Sequence, residues 1–140
     1  MNRNRWAAII AIVVVLTVLV LGFRFLGSPA SRRLVRADAQ DVEALAQIAQ
    51  QVNFAWMRTP HALPESLDKI PGRKKHSVSG KSFVYRPKHD STYELCAMFA
   101  TDNRQRSDTN TGDFWLHPKG EYCFQLDASE PAPTAPYAPY

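Results

Sequence analysis

The sequence has few of the residue patterns that identify enzymes. It contains no nucleophile elbow, no phosphate-binding glycine loop and no HExxH zinc motif. Its four histidines are scattered, and none lies at metal-ligand spacing from another candidate ligand: they are His61, His76, His89 and His117. The sequence therefore predicts a protein that is not an enzyme and that holds no metal and no cofactor.

Cysteine is also scarce. Only Cys96 and Cys123 occur, 27 positions apart, so the CxxC pair of a thiol oxidoreductase is absent. Each lies alone in a strand-like run, "YELCAMF" or "GEYCFQL", without zinc-type spacing beside it. This pattern predicts one structural disulfide between the two residues. Because disulfides persist in oxidising compartments, we expect the chain beyond about residue 27 to lie outside the cytoplasm.

Charged residues are absent from Trp6 to Phe23, "WAAIIAIVVVLTVLVLGF". A helix of these 18 residues reaches roughly 27 Å, close to the ~30 Å hydrocarbon core of a bilayer. We therefore predict a transmembrane helix over residues 6 to 26, after a cytoplasmic tail at residues 1 to 5. The alternative is a secretory signal cleaved at "GSPA". The apolar part of a signal runs only about 7 to 15 residues, so the length favours an uncleaved anchor.

Arginines flank the span on both sides, two before it and four after it: Arg3 and Arg5, then Arg24, Arg32, Arg33 and Arg36. This count does not favour a cytoplasmic amino terminus by the positive-inside rule. The predicted disulfide argues for a cytoplasmic amino terminus, because it requires the domain after the span to be outside the cytoplasm. We give the disulfide more weight than the arginine count, because the numbers of arginines on the two sides differ little. We therefore expect a single-pass protein with an extracytoplasmic carboxy-terminal domain.

The net charge of +4 does not predict a nucleic-acid partner, since a translocated domain rarely meets nucleic acid. Part of the charge is juxtamembrane arginine, which suits lipid headgroups. A basic segment, "GRKKHSVSGKS", has the composition of a solvated loop. It is also the candidate site for an anionic envelope polymer or lipid headgroup, through Arg73, Lys74, Lys75 and Lys81.

Proline and glycine are absent from residues 31 to 58, which predicts a helix of about 25 to 28 residues. Ile48 and Phe54 widen its apolar side, as expected for packing on a sheet. An apolar stripe recurs along the helix at helical spacing and consists of Val35, Val42, Leu45, Ala49, Val52 and Trp56. Asp38 occupies a position of this stripe between Val35 and Val42, so we expect packing on the sheet to begin beyond Asp38. The first two turns of the helix should then be exposed.

Prolines at positions 60, 64 and 71 end this helix, and "PESLDKI" between them predicts one short helical turn. Period-two alternation then predicts antiparallel strands at "SFVYRP" and "STYELCAMFAT". The turn "HPKG" predicts a hairpin that joins residues 114 to 117 to residues 121 to 126.

The alternation also predicts the two faces of the sheet. Tyr93, Leu95 and Phe99 face the helix, while Cys96 and Cys123 point outward together. Their disulfide would close a loop of 26 residues and stabilise the domain by about 3 to 4 kcal/mol. The Pro- and Ala-rich residues 128 to 140 predict a disordered or polyproline-like tail.

Four short motifs complete the pattern: the connector "LPESL", the strand "FVYRP", the strand "YELCAMF" and the closing run "WLHPKGEYCF". Together with the span and the long helix, they resemble the type IV pilins and pseudopilins of bacteria. More closely, they are similar to small single-span envelope proteins with a pilin-like soluble domain. The span differs from that of pilins, which carry a glutamate a few residues into it, because no acidic residue occurs here.

The resemblance covers residues 31 to 127 and implies an α+β fold, in which a long amphipathic helix packs on a small antiparallel sheet. It implies a place in the bacterial inner membrane, with the domain in the periplasm. It also implies a non-catalytic structural or interaction role, with a protein partner in a secretion or pilus-type envelope assembly. The alternative function is an envelope ligand-binding or sensing module that uses the basic segment at residues 73 to 81.

Overall fold

The computed structural model describes residues 3–26, 29–59, 62–70, 77, 80–105 and 113–136. The chain divides into two compact units, Met1–Arg33 and Leu34–Tyr140. The order of regular elements is two α-helices, a short 3-10 helix, two strands, a second 3-10 helix and a third strand. This arrangement agrees with the predicted α+β class.

The first unit contains α1, Arg3–Leu26, whose 24 residues cover the predicted span. A helix of this length reaches about 36 Å. Its most apolar 18-residue window has a mean hydropathy of 2.9, and none of that window is buried within the protein. Within the described ranges, this is the one helical segment long and apolar enough to cross a membrane, judged by length and composition.

The second long helix, α2, runs over Pro29–Arg58. Four residues of the predicted stripe are buried and the two at its ends, Val35 and Trp56, are partly buried; Ile48 widens the buried side as expected. Two predictions are wrong. Asp38 is buried, so packing begins one turn earlier than predicted, because this carboxylate has partners in the sheet. Phe54 is 59% exposed and lies outside the packed side of the helix.

The sheet has three antiparallel strands in the order β1-β2-β3: β1 is Val84–Pro87, β2 is Thr92–Phe99 and β3 is Gly120–Asp127. In the central strand, Leu95 lies opposite Tyr85 of β1 and Phe124 of β3. Leu95 is completely buried in a core shared with α2, which also contains Tyr93 and Phe99. The predicted face of β2 therefore packs toward the helix. Before β1, the predicted helical turn forms as a short 3-10 helix, Leu67–Lys69.

The predicted hairpin at "HPKG" does not form. Residues Asp113–Trp115 make a short 3-10 helix, and β3 pairs with β2. The Trp115 side chain is buried against Phe124, with ring centroids 4.8 Å apart. The backbone N–H of His117 donates to Asn103 Oδ1 and is not available for a strand ladder. Burial of the indole therefore overrides the local turn preference.

Residues 128 to 136 also differ from the prediction of a disordered tail, while residues 137 to 140 lie outside the described part. Ala128 is buried, and its backbone N–H donates to the carbonyl of Ser91 at 2.8 Å. The carbonyl of Glu130 accepts a bond from the side-chain amide of Asn53. The carbonyl of Thr134 accepts one from the indole N–H of Trp115 at 3.1 Å. Buried donors on the core thus fix a segment that has no periodicity of its own.

The two positions Leu45 and Phe54 on α2 provide a matched test of this packing. Leu45 is fully buried, so Leu45→Ala should lower the free energy of unfolding by about 2 to 5 kcal/mol. Phe54→Ala should change it by no more than about 0.5 kcal/mol, since that side chain is largely exposed. Denaturant unfolding of the full chain in detergent, followed by tryptophan fluorescence, measures both. Equal losses for the two variants would contradict the observed face of α2.

Candidate functional site

The disulfide between Cys96 and Cys123 is present, as the sequence predicts. The two residues lie directly opposite each other on β2 and β3, with their Cα atoms 4.0 Å apart. Alternation along the strands places both on the face that points away from α2. Cys96 is nevertheless completely buried, and only Cys123 is partly exposed.

A small charged cluster surrounds this bond on the same face of the sheet. The carboxylate of Glu94 lies 3.3 Å from Lys88 Nζ and 4.0 Å from Arg86 Nη1. Glu94 is only 15% exposed, whereas both cations are about half exposed. Such partly solvated ion pairs contribute about 0 to 1 kcal/mol each to the free energy of unfolding. The main effect of Lys88 and Arg86 is therefore to balance the negative charge of Glu94.

The oxygen and sulfur atoms of Glu94, Cys96 and Cys123 lie within 4.8 Å of one another. Metal ions bind cysteine as the thiolate, and both sulfurs here are bonded to each other. The arrangement is therefore a disulfide beside a paired carboxylate, and its chemistry is that of a structural cross-link.

The predicted basic site is described only at one of its four positions. Lys81 is exposed. Arg73, Lys74 and Lys75 lie outside the described residues. The backbone carbonyl of Lys81 accepts a bond of 2.7 Å from the N–H of Ser77, which is buried.

Asp38, which the sequence presents only as a gap in an apolar stripe, accepts three hydrogen bonds from the residues that follow β2. Its Oδ1 accepts the backbone N–H of Ala100 at 2.9 Å. Its Oδ2 accepts the backbone N–H and the hydroxyl of Thr101, at 2.7 and 2.5 Å. Asp38 thus caps the end of β2, where the ladder to β3 stops. The sequence signal was the isolated acid at a stripe position, which indicates a buried carboxylate with partners elsewhere.

A second polar contact lies beyond the same end of β2. Asn103 accepts the backbone N–H of His117 at 2.6 Å and donates to the carbonyl of Trp115 at 3.2 Å. The His117 ring stacks on Phe99, with centroids 3.6 Å apart, and its Nδ1 lies 3.2 Å from the carbonyl of Pro118. Burial lowers the pKa of His117 from its ordinary value of 6.5. It is a packing histidine.

Two open grooves mark the surface of the described domain. One, of about 690 Å³, lies beside the carboxy-terminal end of α2 and is lined by Phe54, Leu63 and Ile70 among others. Its Lys69 is paired with Glu65. The other, of about 540 Å³, lies along β3 between Gln125 and Pro131.

Comparison of the chain with protein-family models, with characterised proteins and with solved structures finds no match.

Asp38→Asn tests the cap at the end of β2. An asparagine keeps one acceptor oxygen but turns an amide N–H₂ toward a backbone donor, so we expect a loss of about 2 to 3 kcal/mol in the free energy of unfolding. Glu43→Gln, at an exposed position of the same helix, should cost no more than about 0.5 kcal/mol. Denaturant titrations of both variants measure the difference. A cost for Asp38→Asn no larger than that of the control would show that the cap is not needed.

His117 should make stability depend on pH. Its pKa is lower in the folded state, so the unfolded chain takes up its proton first as the pH falls. The contribution of His117 is complete above the unfolded pKa of about 6.5 and is lost as the pH falls from there through the lower folded pKa. Unfolding free energies measured between about pH 5 and pH 7.5 should fall on acidification in the native chain and fall less in His117→Gln. Parallel curves would contradict the assignment.

Proposed function

We propose that the chain is a single-pass envelope protein whose domain at residues 31 to 127 lies outside the cytoplasm and acts by structure and interaction, without catalysis. The observation that carries this proposal is the Cys96–Cys123 disulfide. Disulfides form and persist in oxidising compartments, whereas thiols stay reduced in the cytosol. A domain closed by such a bond is therefore expected on the far side of the membrane.

The apolar helix α1 supports an anchor over residues 6 to 26. Its 24 residues exceed the length that a bilayer core requires, and its apolar surface covers all sides of the helix. An uncleaved helix of this kind keeps the domain at the inner membrane, with residues 1 to 5 on the cytoplasmic side. The arginines at 32, 33 and 36 then lie near the outer headgroups, where they attract anionic lipid.

The architecture of the domain supports the likeness to pilin-like envelope proteins. A long amphipathic helix packs against an antiparallel sheet, and a disulfide ties the last strand to its neighbour. We propose a role as an accessory in a secretion or pilus-type assembly of the bacterial inner membrane. The proposal does not include polymerisation through the span, because the span lacks the acidic residue that pilins carry there.

The way in which the charged groups are paired supports the proposal of a role without catalysis. Glu94 faces Lys88 and Arg86, Asp38 caps backbone donors and His117 is stacked in the core. Of these groups, Glu94 and Lys88 line the groove along β3, where they are paired with each other. The surface is therefore suited to contacts with another protein.

Alkylation in intact cells with a membrane-impermeant, mass-shifting maleimide tests the location. We expect both cysteines to resist the reagent in untreated cells and to react after reduction, because they are oxidised and outside. A shift of two labels after reduction is the expected result. The Cys96→Ser/Cys123→Ser double variant is the control and should show no shift under any condition.

A cytoplasmic domain would behave differently. Its cysteines would stay unlabelled in intact cells even after treatment with an impermeant reductant, and they would react in lysates without reduction. That outcome would remove the basis of the proposed location. Co-purification with inner-membrane assembly proteins, after crosslinking in cells, then tests the proposed role separately from the location.

A further inference from the structure

The strand β3 lies at one edge of the sheet, since the order is β1-β2-β3. It is eight residues long, Gly120–Asp127, whereas β1 at the opposite edge has four and ends at Pro87, which has no N–H to donate. Long, regular edge strands present unpaired backbone groups and readily accept another strand. The two edges of this sheet thus differ, and β3 is the one able to extend it.

The disulfide shows which backbone groups of β3 point away from β2. In an antiparallel ladder, opposite residues that are not hydrogen-bonded to each other have Cα atoms about 4.5 Å apart. Opposite residues that are hydrogen-bonded have Cα atoms about 5.5 Å apart. Cys96 and Cys123, at 4.0 Å, are of the first kind. Tyr122 and Phe124 therefore bond to β2, while Glu121, Cys123 and Gln125 direct their N–H and C=O groups outward. Within residues 80 to 105 and 113 to 136, none of these outward groups has a backbone partner across the edge.

The surface near this edge is open at the end of β3 and carries exposed aromatic side chains. The groove of about 540 Å³ includes Gln125 and Asp127 of β3 and extends to Thr92 and Glu94 of β2, and Phe114 forms part of its wall. Two aromatic side chains at this edge are unusually exposed, Tyr122 at 37% and Phe114 at 39%. Exposed aromatics beside an open edge are typical of surfaces that another chain covers.

We propose that β3 pairs antiparallel with β3 of a second copy of this chain, around a two-fold axis at Cys123, to form a continuous six-stranded sheet. In this register, Glu121 lies opposite the partner's Gln125, which can donate its amide to the carboxylate. Tyr122, which is 37% exposed, lies opposite the partner's Phe124. Each contact occurs twice because of the symmetry.

Charge favours this register over one of its two neighbours. Lys119 directly precedes β3 and is exposed, so its long side chain comes within reach of the partner's Asp127. Asp127 is held ionised, since bonds from Ser129 and Ser91 lower its pKa. Moving the two-fold axis from Cys123 to Phe124 would instead place Glu121 opposite the partner's Asp127, and this contact would occur twice. Like charges at opposite positions destabilise a sheet. The inference does not depend on the proposed cellular location.

Amide hydrogen exchange of the full chain in detergent, resolved by residue, tests the pairing. We expect the amides of Glu121, Cys123 and Gln125 to become protected when the concentration is raised from about 10 µM to about 500 µM. The amides of Tyr122 and Phe124 should be protected at both concentrations, since they bond to β2. Fast exchange of the outward amides at both concentrations would overturn the proposal. Equal protection at both would also overturn it, because a segment of the same chain would then cover the edge.

Two variants identify the edge and the register. Gln125→Pro removes an outward N–H and should abolish the concentration-dependent protection while Tyr122 stays protected, and Gln125→Ala is its control. Lys119→Glu lies outside the strand and should raise the dissociation constant about tenfold, since it replaces two attractive contacts per dimer by repulsive ones. Sedimentation of each variant measures this change. A dimer unaffected by both substitutions would lie on another surface, and the proposal would be wrong.

Discussion

The contact between α2 and the central strand β2 is the interaction on which the rest of the domain depends. At one end, Asp38 of α2 accepts hydrogen bonds from Ala100 and Thr101, which follow β2. At the other end, the hydroxyl of Tyr93, near the start of β2, lies 3.4 Å from the carbonyl oxygen of Ala49 on α2. From residue 38 to residue 53 the helix rises about 22 Å, and from residue 93 to residue 100 the strand rises about 23 Å. The two elements therefore match in length and run in opposite directions. Leu45 and Leu95, both fully buried, fill the space between these ends.

Elements with a strong local period could be predicted from the sequence. The apolar stripe of α2 and the alternation of β2 each indicate which side of the element avoids water, and the buried faces agree with it. The uncharged apolar run at residues 6 to 23 predicted the helix α1. The pairing of the two cysteines was predictable because no other cysteine competes for either. Local signals failed where a distant partner decides the outcome. The carboxylate of Asp38 bonds to a residue 63 positions away, and no local pattern contains that information.

The two wrong elements have a common cause. The "HPKG" turn and the Pro- and Ala-rich segment after residue 127 were interpreted from their own composition. In the structure, Trp115 enters the core and its indole N–H needs an acceptor, which the carbonyl of Thr134 supplies. One buried side chain thus replaces a predicted strand by a 3-10 turn and orders a segment without periodicity. The candidate basic site remains a prediction, since three of its four residues are outside the described part.

The contacts of residues 128 to 136 also set the order in which the domain can mature. Asn53 and Trp115 reach their acceptors only at positions 130 and 134, and Cys96 finds its partner only at position 123. Synthesis proceeds from the amino terminus, so α2 and β2 are made before these positions. The buried donors of Asn53 and Trp115 can reach their acceptors only after the later segment has been made. Completion of the core therefore depends on a segment that has no regular secondary structure of its own.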